Sequence, residues 1–303
     1  MLEVFAPDFA MPSGMVWQYE VIRWFQSWAS VGLTELAKAL SLLGVEWFYV
    51  VVLPILFWAV SKPLGLRLAY VFLCSMYANG WLKDSLKVLR PIGIPGIESW
   101  MTWSATGYSM PAGHAQGPMT FWVMVCRWAG RRWLWIAAMI LVAAIGLSRV
   151  YLGVHWPLDV LAGWALGLVF GVLGWPLGRW WTKRQYAWNV RMWLSVLFPL
   201  ALMVIHSGPD SLRYAALLMG IGAGATLEER WVGGQMDPAW WRRACAVIIG
   251  IAGLIALQYV IKWPGWPGVT VVRDVLTGLW ATLAAPWVFV QCGLYRKGDP
   301  VEG

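Results

Sequence analysis

Charged side chains are scarce in this chain, at 13% of 303 residues, against about 25% in an ordinary soluble domain. That deficit excludes a soluble DNA-binding domain and an intrinsically disordered chain, both of which need charge or polarity in bulk. Histidine is scarcer still. His114, His155 and His206 are the only three, so any imidazole chemistry must draw on them. The four cysteines, Cys74, Cys126, Cys245 and Cys292, lie far apart inside apolar runs. They have neither metal-ligand spacing nor the density of a disulfide scaffold, and read as buried free thiols. A basic stretch followed by an apolar core is missing from Met1 to Ser13, so no cleavable signal peptide is expected and the first apolar span would serve for insertion.

Apolar surface is what the chain has. Sixty per cent of it is hydrophobic and 26 residues are tryptophan, the composition of an integral membrane protein with aromatic belts at its interfaces. Nine spans of roughly 20 residues would use about 180 positions. The expected architecture is an all-α, polytopic membrane helical bundle of about nine spans. Candidate spans fall near 45–61, 64–88, 114–129, 133–151, 156–178, 188–206, 212–227, 243–262 and 273–294. Before them, residues 17–43 alternate apolar and polar faces, which predicts one helix lying in the membrane interface. Gly163, Gly167 and Gly171 recur every four residues and are read as close helix packing within the chain rather than a dimerisation face.

The net charge of +8 is read as a topology signal. With the 61–67, 127–132, 179–191, 228–243 and carboxyl-terminal segments on one side, that side holds 14 of the 23 basic residues. The positive-inside rule makes it cytoplasmic, with the amino terminus outside and the carboxyl terminus inside. Lys83, Lys87, Arg90 and Arg149 then lie on the outer side, where topology does not call for them.

Three segments put ionisable residues at membrane depth, where such residues are functional candidates. They are Lys83 to Arg90-Pro91, Pro111-Ala112-Gly113-His114, and Ser148-Arg149 through His155 to Asp159. All three fall on the outer side. Lys83 and Arg90 are seven residues apart, two helical turns, and share a face. Three cations beside two histidines suit an oxyanion with several oxygens, most obviously phosphate. Asp159, four residues after His155, can orient one ring nitrogen and raise the basicity of the other, while His114 can serve as acid and base. Nearby carboxylates are too few for a two-metal site, so a metal-free phosphohistidine route is expected, with no cofactor.

These segments, Lys83-x6-Arg90-Pro91, Pro111-Ala112-Gly113-His114 and Ser148-Arg149-x5-His155-x3-Asp159, resemble the tripartite signature of the type 2 phosphatidic acid phosphatase (PAP2) family, which shares its site with vanadium haloperoxidases. The resemblance covers roughly residues 45–180. It implies a helical-bundle core that dephosphorylates lipid phosphates, with His155 as nucleophile, Asp159 as its orienting partner and His114 as acid and base. It also implies that Lys83, Arg90 and Arg149 hold the phosphoryl oxygens with the Gly113 amide. The family carries serine where this chain has Ala112, and loss of that phosphate-binding hydroxyl implies a weakened enzyme, engineered or natural, rather than an inert one.

The resulting division is an amino-terminal segment, 1–44, a phosphatase core, 45–185, and a four-span extension, 186–303. The substrate would be a lipid phosphomonoester or pyrophosphate presented from the outer leaflet of a bacterial-type plasma (inner) membrane. No nucleic-acid partner is expected, and a homo-oligomer is compatible with the sequence. Lys87, three after Asp84, reads equally as a surface ion pair. Ser148 reads as a helix-end residue, His206 as an interfacial one, and Glu98 as a solvated loop charge. Two rivals stand beside the phosphatase: a non-catalytic lipid-binding protein or lipid transporter, and a vanadate-dependent haloperoxidase, for which a bilayer serves no purpose.

Overall fold

A computed structural model of the chain describes residues 13–260 and 268–298. The expectation about a signal peptide before Ser13 lies outside the described residues. Each candidate span is helical over most of its described length. The helices are α1 (Val16–Gln26), α2 (Val31–Leu42), α3 (Glu46–Ile55), α4 (Lys62–Leu86), α5 (Gly113–Ala129) and α6 (Arg132–Tyr151). They continue as α7 (Pro157–Arg184), α8 (Trp188–Ile205), α9 (Pro209–Trp231), α10 (Trp240–Ile255), α11 (Val269–Leu279) and α12 (Ala285–Gln291). Wide π-helical turns extend α3 to Val60 and α10 to Val260, and join α11 to α12.

The single interfacial helix expected over 17–43 is corrected to two, α1 and α2. Ser30 adopts an extended conformation between them and its Oγ accepts from the Leu33 amide at 3.3 Å. Serine competes with the helix for backbone partners and favours caps over interiors, so the helix breaks there. Among the described residues, four helices are long and apolar enough to cross a bilayer: α6, α7, α8 and the α10 run Trp240–Tyr259. A fifth arises if α2 and Glu46–Val60, bent by 49°, form one broken span. Nine spans would need more: α5 has only 17 residues, and α9 carries Asp210, Arg213, Glu228, Glu229 and Arg230.

Two compact units interleave along the chain. The first holds the residues to Phe48 and Ala78–Leu173, and contains all three polar segments. Its core joins Ile22 of α1 to Ile94, Ile97, Ala112, Ala115, Val150, Trp156 and Val160. Within it α7 lies against α5 with almost no gap. A Cβ on Gly163 would come within 2.5 Å of the Ala112 carbonyl, one on Gly167 within 2.5 Å of the Gln116 carbonyl, and one on Gly171 within 2.8 Å of Val123. The glycine spacing therefore serves packing within one chain.

The second unit comprises Tyr49–Tyr77 and the residues from Gly174 onward. Its core gathers Phe57 and Trp58 with Ala246, Leu254, Ala285 and Phe289, and the Trp58 indole donates to the Ala281 carbonyl at 2.7 Å. A short antiparallel pair, β1 (Gly234–Met236) with β2 (Tyr295–Lys297), aligns Met236 with Tyr295. Asp237 accepts from Arg242 at 2.9 Å and Arg296 at 3.0 Å. The expectation of four buried thiols is corrected: Cys126 is buried, Cys74 and Cys245 are partly exposed, and Cys292, just past the end of α12, is exposed.

Candidate active site

Asp159 sits in the first turn of α7, three residues after Trp156, and its Oδ2 accepts the Trp156 amide at 2.8 Å. This is the reach of a third-position acid back to the residue that caps its own helix, and a carboxylate there also meets the positive end of the helix dipole. His155 precedes that cap, so the turn itself brings its Nδ1 to 3.3 Å from Asp159 Oδ2. Both side chains are 1% exposed. On the other edge of the ring, Arg90 Nη1 stands 2.8 Å from Nε2. An arginine can only donate, so Nε2 carries the lone pair and the proton resides on Nδ1, facing the carboxylate. The loop holding His155 lies between α6 and α7. Burial, then the charges of Arg90, Arg149, Lys83 and His114, hold its imidazole well below the usual range, which keeps it neutral near pH 7.

Arg90 is buried and fully engaged. Beyond His155, its guanidinium donates to the carbonyls of Thr106 (2.7 Å), Val154 (2.9 Å), Gly107 (3.0 Å) and Tyr108 (3.1 Å). It thereby ties the loop 87–112 to the His155 turn, and Trp156 reinforces the tie by donating to the Leu89 carbonyl at 2.9 Å. Gly153, at φ +64°, faces the Glu98 carbonyl so closely that a side chain there would collide with it.

Arg149, on the last turn of α6, is completely buried. Its Nη1 donates to Ser41 Oγ at 2.6 Å and to Ser104 Oγ at 3.1 Å, while its Nε and Nη2 have no hydrogen-bond partner. His114 lies in the first turn of α5, and its Nε2 is likewise buried without a partner. Gly113 opens α5 directly after Ala112, whose extended backbone (φ −71°, ψ 110°) carries an amide that donates to the Asp159 carbonyl at 2.9 Å. Lys83 lies half-buried in the last turn of α4, which stops at Leu86. The helical face expected to be shared by Lys83 and Arg90 is therefore corrected: Arg90 stands in the loop beyond the helix. The charges of Lys83, Arg90 and Arg149 all act on His155.

Of the more weakly placed residues, Ser148 donates to the Ile145 carbonyl at 2.7 Å, a helix-end role. His206 Nδ1 pairs with Ser211 Oγ at 2.9 Å, both residues belonging to the second unit. Sequence reasoning missed Ser109, whose Oγ donates to Asp159 Oδ2 at 2.5 Å and lies 3.3 Å from His155 Nδ1. It also missed Ser41, Ser104 and two glutamines of α1. Gln18 accepts the Leu158 amide at 3.1 Å, and Gln26 donates to the carbonyls of Glu98 (2.7 Å) and Tyr151 (2.9 Å). The one available signal was polar residues on the inward side of an otherwise apolar helix.

The arrangement can hold an oxyanion among cations beside a neutral, oriented imidazole. Among the described residues, no group of three or more His, Cys, Asp or Glu side chains is arranged to hold a metal ion.

Comparison with known proteins identifies the family. The chain is 33% identical over 136 residues to an undecaprenyl-diphosphatase of Sulfolobus acidocaldarius, covering 45% of this chain and 66% of that protein. It is 25% identical over 271 residues to sphingosine-1-phosphate phosphatase 1 of Rattus norvegicus, covering 84% and 62%. It thus spans a little under two thirds of the length of these relatives. Among solved structures, the transmembrane PAP2-type phosphatidylglycerolphosphate phosphatase of Bacillus subtilis aligns with a TM-score of 0.47 at 21% identity, over 58% of this chain and 89% of that one. Residues 64–183 match the PAP2 superfamily model, and residues 212–297 match that of the PAP2 superfamily phosphatase transmembrane extension. With the motif-bearing region and the extension both matched, the chain belongs to the PAP2 superfamily.

Proposed function

We propose that this protein is a membrane lipid phosphatase that hydrolyses a phosphomonoester or pyrophosphate through a phosphohistidine, without a metal. The observation that carries the reading is the buried His155, oriented by Asp159 at Nδ1 and faced at Nε2 by Arg90, among the charges of Arg149 and Lys83. In the first step His155 Nε2 attacks phosphorus and the bond to the lipid oxygen breaks, with His114 giving a proton to the departing alkoxide or phosphate. In the second, His114 takes a proton from water, the water oxygen attacks phosphorus, and the P–N bond breaks to release phosphate. Lys83, Arg90, Arg149 and the Gly113 amide would hold the equatorial oxygens as charge builds on them. The Nη1 hydrogen bond from Arg90 to His155 Nε2 would pass to a phosphoryl oxygen, freeing the lone pair.

Residues 45–185 carry the chemistry in this reading, 1–44 brace it from the interface, and 186–303 extend the fold. The relatives named above act on an isoprenoid diphosphate and a sphingoid phosphate, and both are substrate classes to try. The test is phosphate release from a panel of lipid phosphates and diphosphates in chelator, comparing the chain with His155→Ala and Ala112→Ser forms. Activity that survives His155→Ala sinks the mechanism. Ala112 favours one second reading, a non-catalytic lipid-binding protein, for which Ala112→Ser would release no phosphate from any lipid.

A further inference from the structure

Ser41 lies on the last turn of α2, outside residues 64–183 that match the superfamily model, and its side chain is completely buried. Its Oγ and that of Ser104 both accept from Arg149 Nη1. Ser104 gives its own hydroxyl proton to the Met101 carbonyl at 2.8 Å, which leaves its lone pairs for the arginine. A guanidinium carries two N–H bonds on each terminal nitrogen and one on Nε. The two serines therefore take up both protons of Nη1. What is left is the Nε–Nη2 edge, buried and without a hydrogen-bond partner. That edge presents two parallel N–H bonds, the fork that receives two oxygens of a phosphate. An unmet buried cation is expensive, and an oxyanion seated at this edge would satisfy it.

We infer that Ser41 and Ser104 are positioning residues that turn the Nε–Nη2 edge of Arg149 toward the phosphoryl group. This makes the amino-terminal helix α2 a structural part of the phosphate site. The chain just past α2 is packed too tightly to drift, since a Cβ on Gly44 would come within 2.9 Å of Ile145 and 3.0 Å of the His114 carbonyl. Lysine could not replace Arg149 here, because an ammonium has no planar edge to divide between the two serines and a substrate.

The inference rests on the phosphatase reading for its substrate, but the anion site can be tested without turnover. Orthovanadate would be titrated calorimetrically into the full chain in detergent, alongside steady-state kinetics. Ser41→Ala is expected to weaken vanadate binding and lower kcat/KM by the same factor, roughly 10-fold, the size of one hydrogen bond to a charged group. Ser104→Ala should act in the same direction, and Ser41→Thr should restore most of the affinity. In an Arg149→Ala background, Ser41→Ala should have no further effect. A merely structural role would instead reduce the active fraction and leave the vanadate affinity of the remaining sites unchanged. That outcome, or an equal loss in the Arg149→Ala background, overturns the inference. Vanadate binding with the expected serine dependence but no phosphate release from any lipid would overturn the hydrolase reading and leave the positioning role standing.

Discussion

Ala112 is the last extended residue before α5 and has no side-chain oxygen to offer the helix or a phosphate. A serine at this cap position can reach a first-turn amide or a bound phosphoryl oxygen. Ala112→Ser is therefore expected to raise kcat/KM by roughly 10- to 150-fold, the value of one charge-assisted hydrogen bond realised in the transition state. An unchanged rate in a phosphate-release assay would show that the hydroxyl is not needed here. His155 makes the second expectation at this scale. Its pKa is depressed, so the neutral form that the proposed attack requires persists above that value and is lost only as pH falls through it. The acid limb of kcat/KM that belongs to His155 should thus lie below 6.5, the ordinary value. This is measured after correction for the substrate's own ionisation, and a limb at or above 6.5 contradicts the electrostatics described. The histidines, Asp159 and the three cations are legible in the sequence because their spacing is distinctive. Ser41, Ser104 and Ser109 are not, because a serine's role depends on what the fold brings to its hydroxyl.

Helices α5 and α7 meet through the glycine stripe Gly163, Gly167, Gly171, and this contact carries the Pro111–His114 segment toward the start of α7. Gly167→Val would drive a branched side chain into the Gln116 carbonyl and Met119. Overpacking of this kind costs about 1–3 kcal/mol, so Gly167→Val should lower the melting temperature in detergent and reduce activity together. Full activity with an unchanged melting temperature would mean that the two helices do not approach as described. The periodicity of apolar residues shows where these helices are. It does not show the break between α1 and α2, which rests on local serine capping, nor which helical face carries Gln18 to the first turn of α7 and Gln26 to the 87–112 loop.

At the scale of the whole chain, the expectation concerns sidedness. The charge distribution predicts loop 91–112 outside and the 179–191 segment inside. In a Cys292→Ser background, Glu98→Cys should react with a membrane-impermeant maleimide in intact cells, and Lys183→Cys only after permeabilisation. The reverse pattern would put the site on the cytoplasmic side. The count of spans is a question at the same scale. Composition alone accommodates nine, whereas among the described residues length and apolarity together qualify four helices, or five with the bent pair, because charged residues within α4 and α9 leave their crossing to be decided by how the helices shield them.

Hydropathy and residue spacing by themselves determined that this is a helical membrane protein with its ionisable residues gathered in three segments of PAP2 type. Both properties are local, set by the cost of polar groups in hydrocarbon and by the pitch of a helix. Only the tertiary structure decided that α1 and α2 reach into the same unit as the motifs, that Arg90 braces the 87–112 loop as well as facing His155, and that two serines share Nη1 of Arg149. Those facts depend on pairs of residues distant in sequence, such as Ser41 with Arg149 and Gln26 with Tyr151. A hydrogen bond across such a separation leaves no periodic trace along the chain.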